Sequence, residues 1–165
     1  MALARLGSGD EAAELFHMLN PINHTRTPAD VEHYKAEPYM IAGDVCAHPA
    51  RAGRCGRTWH TSSAGWLYRA GIESILGLRR HSTTFEIDPC IPASWPEYEI
   101  IWHFGQTRYE IKVSNPNRRC RGVADAQLDG TPVDPHAIPL VNDVAAHQGA
   151  LQLLIGDEPR PAKQP

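Results

Sequence analysis

The apolar residues of this chain follow a helical period over about the first eighty positions and alternate with polar residues afterwards. In the first part, apolar side chains recur every three or four residues, as they do on the buried face of an amphipathic helix. Proline, glycine and Asn-Pro pairs divide these stretches into separate elements. The predicted helices are one that ends before Gly7, one capped by Asp10 that runs to Leu19, a short one that opens at Thr27-Pro28, and one from Thr61 or Ser62 to about Leu78.

Beyond Arg80 the period changes to two, which is typical of strands with one buried face. Gly105-Gln106 and Asp129-Gly130 are dipeptides of the kind that close tight hairpins. The predicted strands cover residues 83–87, 99–104, 107–113, 128–133 (interrupted by the Asp-Gly turn) and 151–155. The pattern therefore predicts an α+β protein, helical and rich in loops at first and antiparallel β afterwards.

Composition and charge argue against a nucleic-acid-binding, membrane-spanning or secreted protein. The 165 residues suffice for one ordinary domain or two small ones, and a net charge of -3 provides no basic surface for nucleic acid. No apolar run is long enough to span a membrane, and the first residues do not resemble a signal peptide, so we expect a cytoplasmic protein. The four cysteines are expected to be reduced. Cys46, His48 and Cys55 match no compact zinc spacing, so no metal or cofactor is predicted.

The stretch from Gly53 to Arg69 carries the clearest chemical signal. It places glycines, hydroxyls and indoles directly before an amphipathic helix. The first amides of a helix lack intrahelical partners and carry positive partial charge, so an anion such as phosphate fits there. Trp59 and Trp66 add flat apolar faces on which sugars can stack. The sequence thus indicates a site for a phosphate, a sugar or both.

Several blocks, in order along the chain, resemble the C-terminal part of glycoside hydrolase family 94. This family contains the cellobiose and chitobiose phosphorylases and the phosphorylase-like domain of cyclic β-1,2-glucan synthases. The opening residues and the Asn-Pro-Ile-Asn-His block are most similar to the glucan synthase branch. The matching blocks are residues 19–24 (LNPINH), 34–39 (YKAEPY), 61–69 (TSSAGWLYR), 71–79 (GIESILGLR) and 87–96 (IDPCIPASWP).

The resemblance implies a particular architecture. Family members have an N-terminal β-sandwich, an (α/α)6 barrel with the active site, and a small C-terminal β-domain. By resemblance, residues 1–80 are the last helices and loops of an incomplete (α/α)6 barrel. Residues 81–156 are the small antiparallel β-domain, and residues 157–165 are a tail. This agrees with the order of helices and strands that the periodicity predicts.

The resemblance also implies the chemistry, which is inverting phosphorolysis or transfer of β-linked glucosides. An Asp protonates the leaving oxygen while inorganic phosphate, as co-substrate, attacks the anomeric carbon from the opposite face. The family's general acid lies upstream of the Asn-Pro-Ile-Asn-His block. We therefore expect no catalytic residue in this chain, inactivity in isolation, and an upstream barrel polypeptide as partner. A β-linked oligosaccharide or glucan is the expected substrate, and homodimers are common in the family.

The resemblance transfers one phosphate ligand, Thr61, and Ser62 follows it as a second candidate for phosphate. His24, Lys35 and Glu37 are the candidates for the sugar site. The family has Gly where this chain has Ser62, and the positions of Cys55, Arg57 and His60 also depart from its pattern. Each assignment has a structural alternative. Thr61 could serve only as a helix cap, His24 could cap the Asn-Pro turn, and Lys35 and Glu37 could form a solvated loop ion pair.

Two other functions remain open at this point. The first is a stand-alone carbohydrate-binding or partner-dependent module that uses Trp95, Trp102 and Tyr109, although the last two lie in alternating strands and favour the core. Trp95 is itself better explained as an anchor of the β-domain. The second is a small hydrolase built from His24, Asp44 and Asp88, which would need no phosphate.

Overall fold

A computed structural model of the chain describes residues 1–37, 40–56, 61–142 and 148–156. It divides into two compact units. The first comprises Met1–Ala12 together with Ile72–Pro165, and the second comprises Ala13–Gly71. The domain boundaries implied by the resemblance, at residues 80 and 156, stay a prediction.

The helices lie where the periodicity predicts them. Helix α1 covers Ala2–Arg5, α2 Gly9–Leu19, α3 Pro28–Tyr34 and α4 Thr61–Arg69. Short 3-10 turns occupy Pro21–His24 and Pro49–Arg51. Asp10 is not the cap of α2 but lies in its first turn, where its carboxylate accepts a hydrogen bond from the Ala93 amide at 3.0 Å.

Helix α3 shows how local sequence sets a helix boundary. The Thr27 hydroxyl accepts from the Asp30 amide and the Asp30 carboxylate accepts from the Thr27 amide, which forms a reciprocal capping box. Pro28 occupies the first turn, where no amide donor is needed. Lys35 ends the helix in the left-handed conformation, with φ of 58°. The predicted short helix at Thr27-Pro28 is therefore confirmed.

The described part of the chain contains the strands β1 Leu78–Arg80, β2 Thr84–Ile87, β3 Glu97–Phe104, β4 Thr107–Ser114, β5 Val123–Leu128, β6 Thr131–Pro132, β7 Ile138–Pro139 and β8 Gln148–Ile155. These strands form two sheets. A three-stranded sheet has the order β1-β2-β7, and a five-stranded sheet has the order β3-β4-β8-β5-β6.

Both predicted tight turns are present. Phe104 pairs with Thr107 around Gly105-Gln106, and Leu128 pairs with Thr131 around Asp129-Gly130. Asp129 and Gly130 both have positive φ, 51° and 77°, which is the geometry that favours Asp-Gly in hairpins.

The five-stranded sheet is mixed rather than purely antiparallel. Strand β8 lies between β4 and β5, antiparallel to β5 but parallel to β4, with Ile111 opposite Leu151 and Val113 opposite Leu153. The expected antiparallel β-domain is thus corrected at one pair of strands. Alternation placed Leu151, Leu153 and Ile155 on a buried face, but alternation carries no information about strand direction.

The predicted long helix ends earlier than its apolar pattern suggests. After Arg69 the chain continues as a π-helix over Ala70–Ile75, and β1 then begins at Leu78. Gly77 adopts φ of 79°, and a Cβ there would lie 2.2 Å from the Asp88 carbonyl carbon, so only glycine fits. The Cys90 amide donates to the Ile75 carbonyl at 2.9 Å, which extends the pairing of β1 with β2.

The first unit has a closed apolar core between its two sheets. Phe85 of the three-stranded sheet contacts Trp102 and Tyr109 of the five-stranded sheet edge to face, with ring centroids 5.3 and 5.2 Å apart. Trp102 and Tyr109 are stacked on each other. Other fully buried side chains complete this core: Ile87, Ile91, Ile111, Val113, Ile138, Leu151 and Ile155.

The second unit has a much smaller core. Among its described residues, the buried apolar ones are Pro21, Tyr34, Ala36, Met40 and Cys55. Large apolar side chains are instead exposed over much of its surface: Leu15, Met18, Leu19, Ile22, Val31, Val45, Trp66 and Tyr68. Exposed apolar area on this scale is typical of a surface that contacts further protein or ligand.

We predict that Asn115→Ala lowers the free energy of unfolding by about 3 kcal/mol, since it leaves several buried polar groups unpaired. The side chain of Asn115 is fully buried, donates to the carbonyls of Trp95 and Arg119, and accepts from the Arg119 amide. Urea unfolding measures the change. The exposed neighbour Asn117→Ala is the matched control, and equal stability of the two variants would contradict the prediction.

Candidate functional site

The candidate site is described from the second unit, because all five predicted site residues fall within residues 13–71. Its first part is the Asn20-Pro21 turn after α2. The Asn20 side chain accepts from the Ile22 amide at 3.1 Å, and the Asn23 side chain donates to the His17 carbonyl at 2.8 Å. Thr25 donates to the Pro21 carbonyl at 3.0 Å. The polar residues of this block thus satisfy the backbone of a helix end.

His24 belongs to the same turn. Its Nε2 lies 2.7 Å from the Met18 carbonyl oxygen, and since a carbonyl only accepts, Nε2 must carry the proton. The ring stacks on Tyr34 with centroids 4.9 Å apart. This geometry fits the expected capping role in the Asn-Pro turn. A contact between His24 and a sugar stays a prediction.

Lys35 and Glu37 do not form the loop ion pair with each other that was one alternative for them. Lys35 pairs with Glu32, one turn earlier on α3. The hydrogen bond from Lys35 and its positive charge lower the pKa of the Glu32 carboxyl. Glu37 is half-buried and close enough to Cys55 to influence its thiol electrostatically. Lys35 is thus used locally, while Glu37 lies beside the small core of the unit.

That small core joins α3 to the loop that precedes α4. The Cys55 amide donates to the Tyr34 carbonyl at 2.8 Å, and the Cys55 thiol donates to the Gly56 carbonyl. A Cβ on Gly56 would lie 2.4 Å from the Asp44 carboxylate, so the loop packs closely here. Burial, with smaller contributions from Asp44 and Glu37, raises the pKa of the Cys55 thiol. The arrangement is a loop packed around a buried thiol.

The start of α4 is the part of the site most suited to an anion. The helix begins at Thr61, and Ser62 is exposed in its first turn. Trp66 is 56% exposed, and the Arg69 guanidinium lies 5.2 Å from the centroid of its ring. Among the described residues, nothing lies within 4 Å of the position that a Cβ on Gly65 would take. The first turns of the helix therefore present a hydroxyl and an indole on an exposed surface.

Three residues of the segment that precedes Thr61 lie outside the described residues. These are Trp59, a candidate surface for sugar stacking, and Arg57 and His60, at which the chain departs from the pattern of the family. The side chain of Thr61 is also outside the description, so its role as phosphate ligand or as helix cap stays a prediction.

Asp88, which the sequence offered as a candidate general acid, is part of an ion-pair network in the first unit. Both of its carboxylate oxygens are engaged by Arg121, at 3.2 Å from Nε and 2.8 Å from Nη2. Arg79 Nη2 lies 3.9 Å from Asp88, and Arg79 also pairs with Glu86. The side chain of Asp88 is 12% exposed. This is the geometry of a structural ion pair. The other two residues of the hypothetical small hydrolase, His24 and Asp44, belong to the second unit.

Two other predictions concern the metal and the membrane. Within residues 1–37, 40–56, 61–142 and 148–156, the structure brings together no group of three metal-binding side chains. The cysteines Cys46, Cys55, Cys90 and Cys120 are free. In the same described part of the chain, no helix is long and apolar enough to cross a bilayer.

Comparison with known proteins places the chain among carbohydrate-active enzymes. The profile of the Glycosyl hydrolase 94 superfamily, catalytic domain, matches residues 1–77. The chain is 43% identical over 118 residues to the cyclic beta-(1,2)-glucan synthase NdvB of Rhizobium meliloti (strain 1021), over 72% of this chain and 4% of that protein. It is 36% identical over 135 residues to the N,N'-diacetylchitobiose phosphorylase of Vibrio furnissii, over 81% of this chain and 16% of the enzyme.

A third relative is the solabiose phosphorylase of Paenibacillus borealis, 29% identical over 143 residues, or 86% of this chain and 18% of the enzyme. The chain belongs to glycoside hydrolase family 94. It spans less than a fifth of the length of each of these relatives. The α+β architecture fits the family, whereas the (α/α)6 barrel stays a prediction.

We predict that iodoacetamide modifies Cys55 and Cys90 more slowly than Cys46 and Cys120 at pH 7 to 8. Burial raises the pKa of the Cys55 and Cys90 thiols, and a higher pKa leaves less of the reactive thiolate at a given pH. Each unit by which the pKa of a thiol is raised lowers its thiolate fraction about tenfold at a given pH below the pKa. Mass spectrometry of the labelled peptides measures the four rates. In urea the four rates should converge, and a native Cys55 as fast as Cys46 would contradict the prediction.

Proposed function

We propose that the chain is part of a family 94 enzyme that performs inverting phosphorolysis, or transfer, of β-linked glucosides, with phosphate bound at the start of α4. The observation that carries this proposal is the position of Thr61. The residue that the family resemblance assigns to phosphate begins α4, and the exposed Ser62 follows it in the first turn. The family membership supports the same reaction class.

The geometry at this helix start suits an anionic nucleophile. Three or four amides of the first turn have no carbonyl partner within the helix, and the helix dipole adds positive potential there. Phosphate held in this way needs no general base, because it is already anionic. The role of this part of the chain is to bind and orient phosphate facing the anomeric carbon. We assign the general acid that protonates the leaving oxygen to another part of the enzyme.

The second unit supports a requirement for further polypeptide. Its described residues bury few apolar side chains and expose many, including Leu19, Ile22 and Trp66. In an (α/α)6 barrel such side chains pack against neighbouring helices. We therefore propose an upstream barrel polypeptide as the partner of this unit, and inactivity of the chain in isolation.

A stand-alone carbohydrate-binding module has weaker support. Trp102 and Tyr109 are engaged in the core of the first unit, where Tyr109 is 1% exposed. Trp95, 38% exposed, is the most exposed of the three proposed rings, and it packs edge to face on Tyr98. A single partly exposed indole is a poor platform for an oligosaccharide. A β-linked oligosaccharide as substrate, phosphate as co-substrate, no cofactor and a cytoplasmic location remain our proposals.

The proposal is tested in a chimera. The 135-residue segment of the Vibrio furnissii enzyme that aligns with this chain is replaced by this chain, and phosphate-dependent release of sugar phosphate from diacetylchitobiose is measured. We predict that Thr61→Val raises the Michaelis constant for phosphate about tenfold or more, because a hydrogen bond to a charged ligand is lost. Thr61→Ser should keep most of the affinity.

Thr131→Val is the matched control, since it makes the same substitution in the exposed β6 hairpin. Its Michaelis constant for phosphate should equal that of the parent chimera. An active chimera whose phosphate dependence is unaffected by Thr61→Val would contradict the proposal and leave Thr61 as a helix cap. So would a chimera that unfolds cooperatively on heating yet releases no sugar phosphate.

A further inference from the structure

Strand β3 forms an open edge of the five-stranded sheet. In the order β3-β4-β8-β5-β6 it is the first strand, and among the described residues it pairs only with β4. It is eight residues long, and its register with β4 runs unbroken from Glu97 to Phe104. An edge of this length exposes a row of backbone donors and acceptors.

This edge has only part of the usual protection against pairing with another strand. Natural edge strands are commonly short, bulged, interrupted by proline or supplied with charged side chains, lysine above all. Strand β3 reads Glu-Tyr-Glu-Ile-Ile-Trp-His-Phe, has neither lysine nor proline, and carries its outward charges as the carboxylates of Glu97 and Glu99. At its centre Ile101 is 60% exposed, which is a large apolar side chain on the solvent face of an edge strand. The features together indicate an edge that another strand covers.

The alternation of hydrogen bonds along the β3–β4 pair identifies which backbone amides and carbonyls of β3 point away from β4. Phe104 and Thr107 flank the two-residue turn, and such a closing pair exchanges hydrogen bonds. Alternation along the antiparallel ladder then directs the backbone groups of every second residue toward β4. The remaining residues direct their amides and carbonyls outward: Glu97, Glu99, Ile101 and His103. These four are also the exposed side chains of the strand.

We propose that the outer edge of β3 pairs antiparallel with β3 of a second copy of this chain, with the two-fold axis at Ile101. In this register Ile101 faces the partner's Ile101 and exchanges two hydrogen bonds with it. Glu99 faces the partner's His103, and His103 faces the partner's Glu99. The outward groups of one edge thus meet the outward groups of the other, and the sheet continues across the axis.

Several registers would bring the outward backbone groups of the two β3 strands together, and charge complementarity selects the one with its axis at Ile101. Moving the axis to residue 100 places Glu99 opposite the partner's Ile101, and moving it to residue 102 places Ile101 opposite the partner's His103. Only the axis at Ile101 joins apolar to apolar and carboxylate to imidazole on the same face. An imidazole N–H can donate to a carboxylate in either charge state of the ring.

The first test uses a cysteine at the axis in the full chain. Directly opposed residues of a hydrogen-bonded antiparallel pair have Cα atoms about 5.5 Å apart, which a disulfide can bridge. Ile101→Cys should therefore give a disulfide-linked dimer with oxidised glutathione, which accepts the two electrons of the thiols. Glu99→Cys is the matched control, because residue 99 lies about 14 Å from its own counterpart in this register. The parent chain gives the background of its four native cysteines.

The second test is a charge exchange followed by sedimentation velocity over a range of concentrations. Glu99→Lys or His103→Glu alone should raise the dimer dissociation constant about tenfold or more, since each dimer contains the altered pair twice. The double variant should return to within about threefold of the parent, because the introduced lysine then faces the introduced glutamate of the other copy. Glu97→Lys is the control. Glu97 and Glu99 lie 3.5 and 3.6 Å from Lys112, so both variants lose the same contact within the sheet.

Several outcomes would overturn the proposal. A monomeric parent chain at the highest concentration would do so, as would equal cross-linking of the cysteines introduced at positions 99 and 101. An effect of Glu97→Lys as large as that of Glu99→Lys would exclude this register. If exposed apolar side chains of the second unit cause larger assemblies, the cross-linking test on a non-reducing denaturing gel still decides the question. In that case the absence of an Ile101→Cys dimer would refute the edge pairing.

Discussion

The contact of Phe85 with Trp102 and Tyr109 is the interaction on which the β unit depends. Phe85 has no exposed surface and lies against both other rings, while the Tyr109 hydroxyl accepts from the Val141 amide at 2.7 Å. One aromatic cluster therefore joins the two sheets and anchors the segment that follows β7. Buried aromatic rings contribute large apolar areas and prefer edge-to-face geometry, so they can fix the distance between two sheets.

The two units differ in how much of their apolar surface they bury within themselves. The first buries a continuous set of apolar side chains and engages Asp88 in a network with Arg79 and Arg121. The second is held mainly by local devices, such as the Asn20 turn, the capping box of α3 and the loop packed on Tyr34. Local hydrogen bonds can fix the path of a chain without burying much apolar surface. This contrast supports the proposal that the helical unit packs against further polypeptide, whereas the β unit has an apolar core of its own.

The polar groups of the candidate site are used mostly for local structure. His24, Asn20 and Asn23 satisfy the end of α2, and Lys35 engages Glu32. At the start of α4, where we propose that phosphate binds, Ser62 and Trp66 are exposed. A phosphate-binding role at this point therefore rests on the backbone of a helix start more than on charged side chains. Residue types suggested Lys35 and His24 as ligands equally well, because sequence does not show which local partner a side chain will find.

The sequence alone determined the elements whose causes are local. The helix start at Thr27-Pro28, the Asp-Gly turn at residue 129 and the alternation of β4 depend on a few neighbouring residues, and all were found where predicted. The tertiary structure alone decided features that depend on distant residues. These are the parallel pairing of β8 with β4, the close approach of Asp88 to Gly77 that ends the helical segment, and the pairing of Asp88 with Arg121. Periodicity records which face of an element is buried, but the partner that buries it is chosen by the packing of the whole unit.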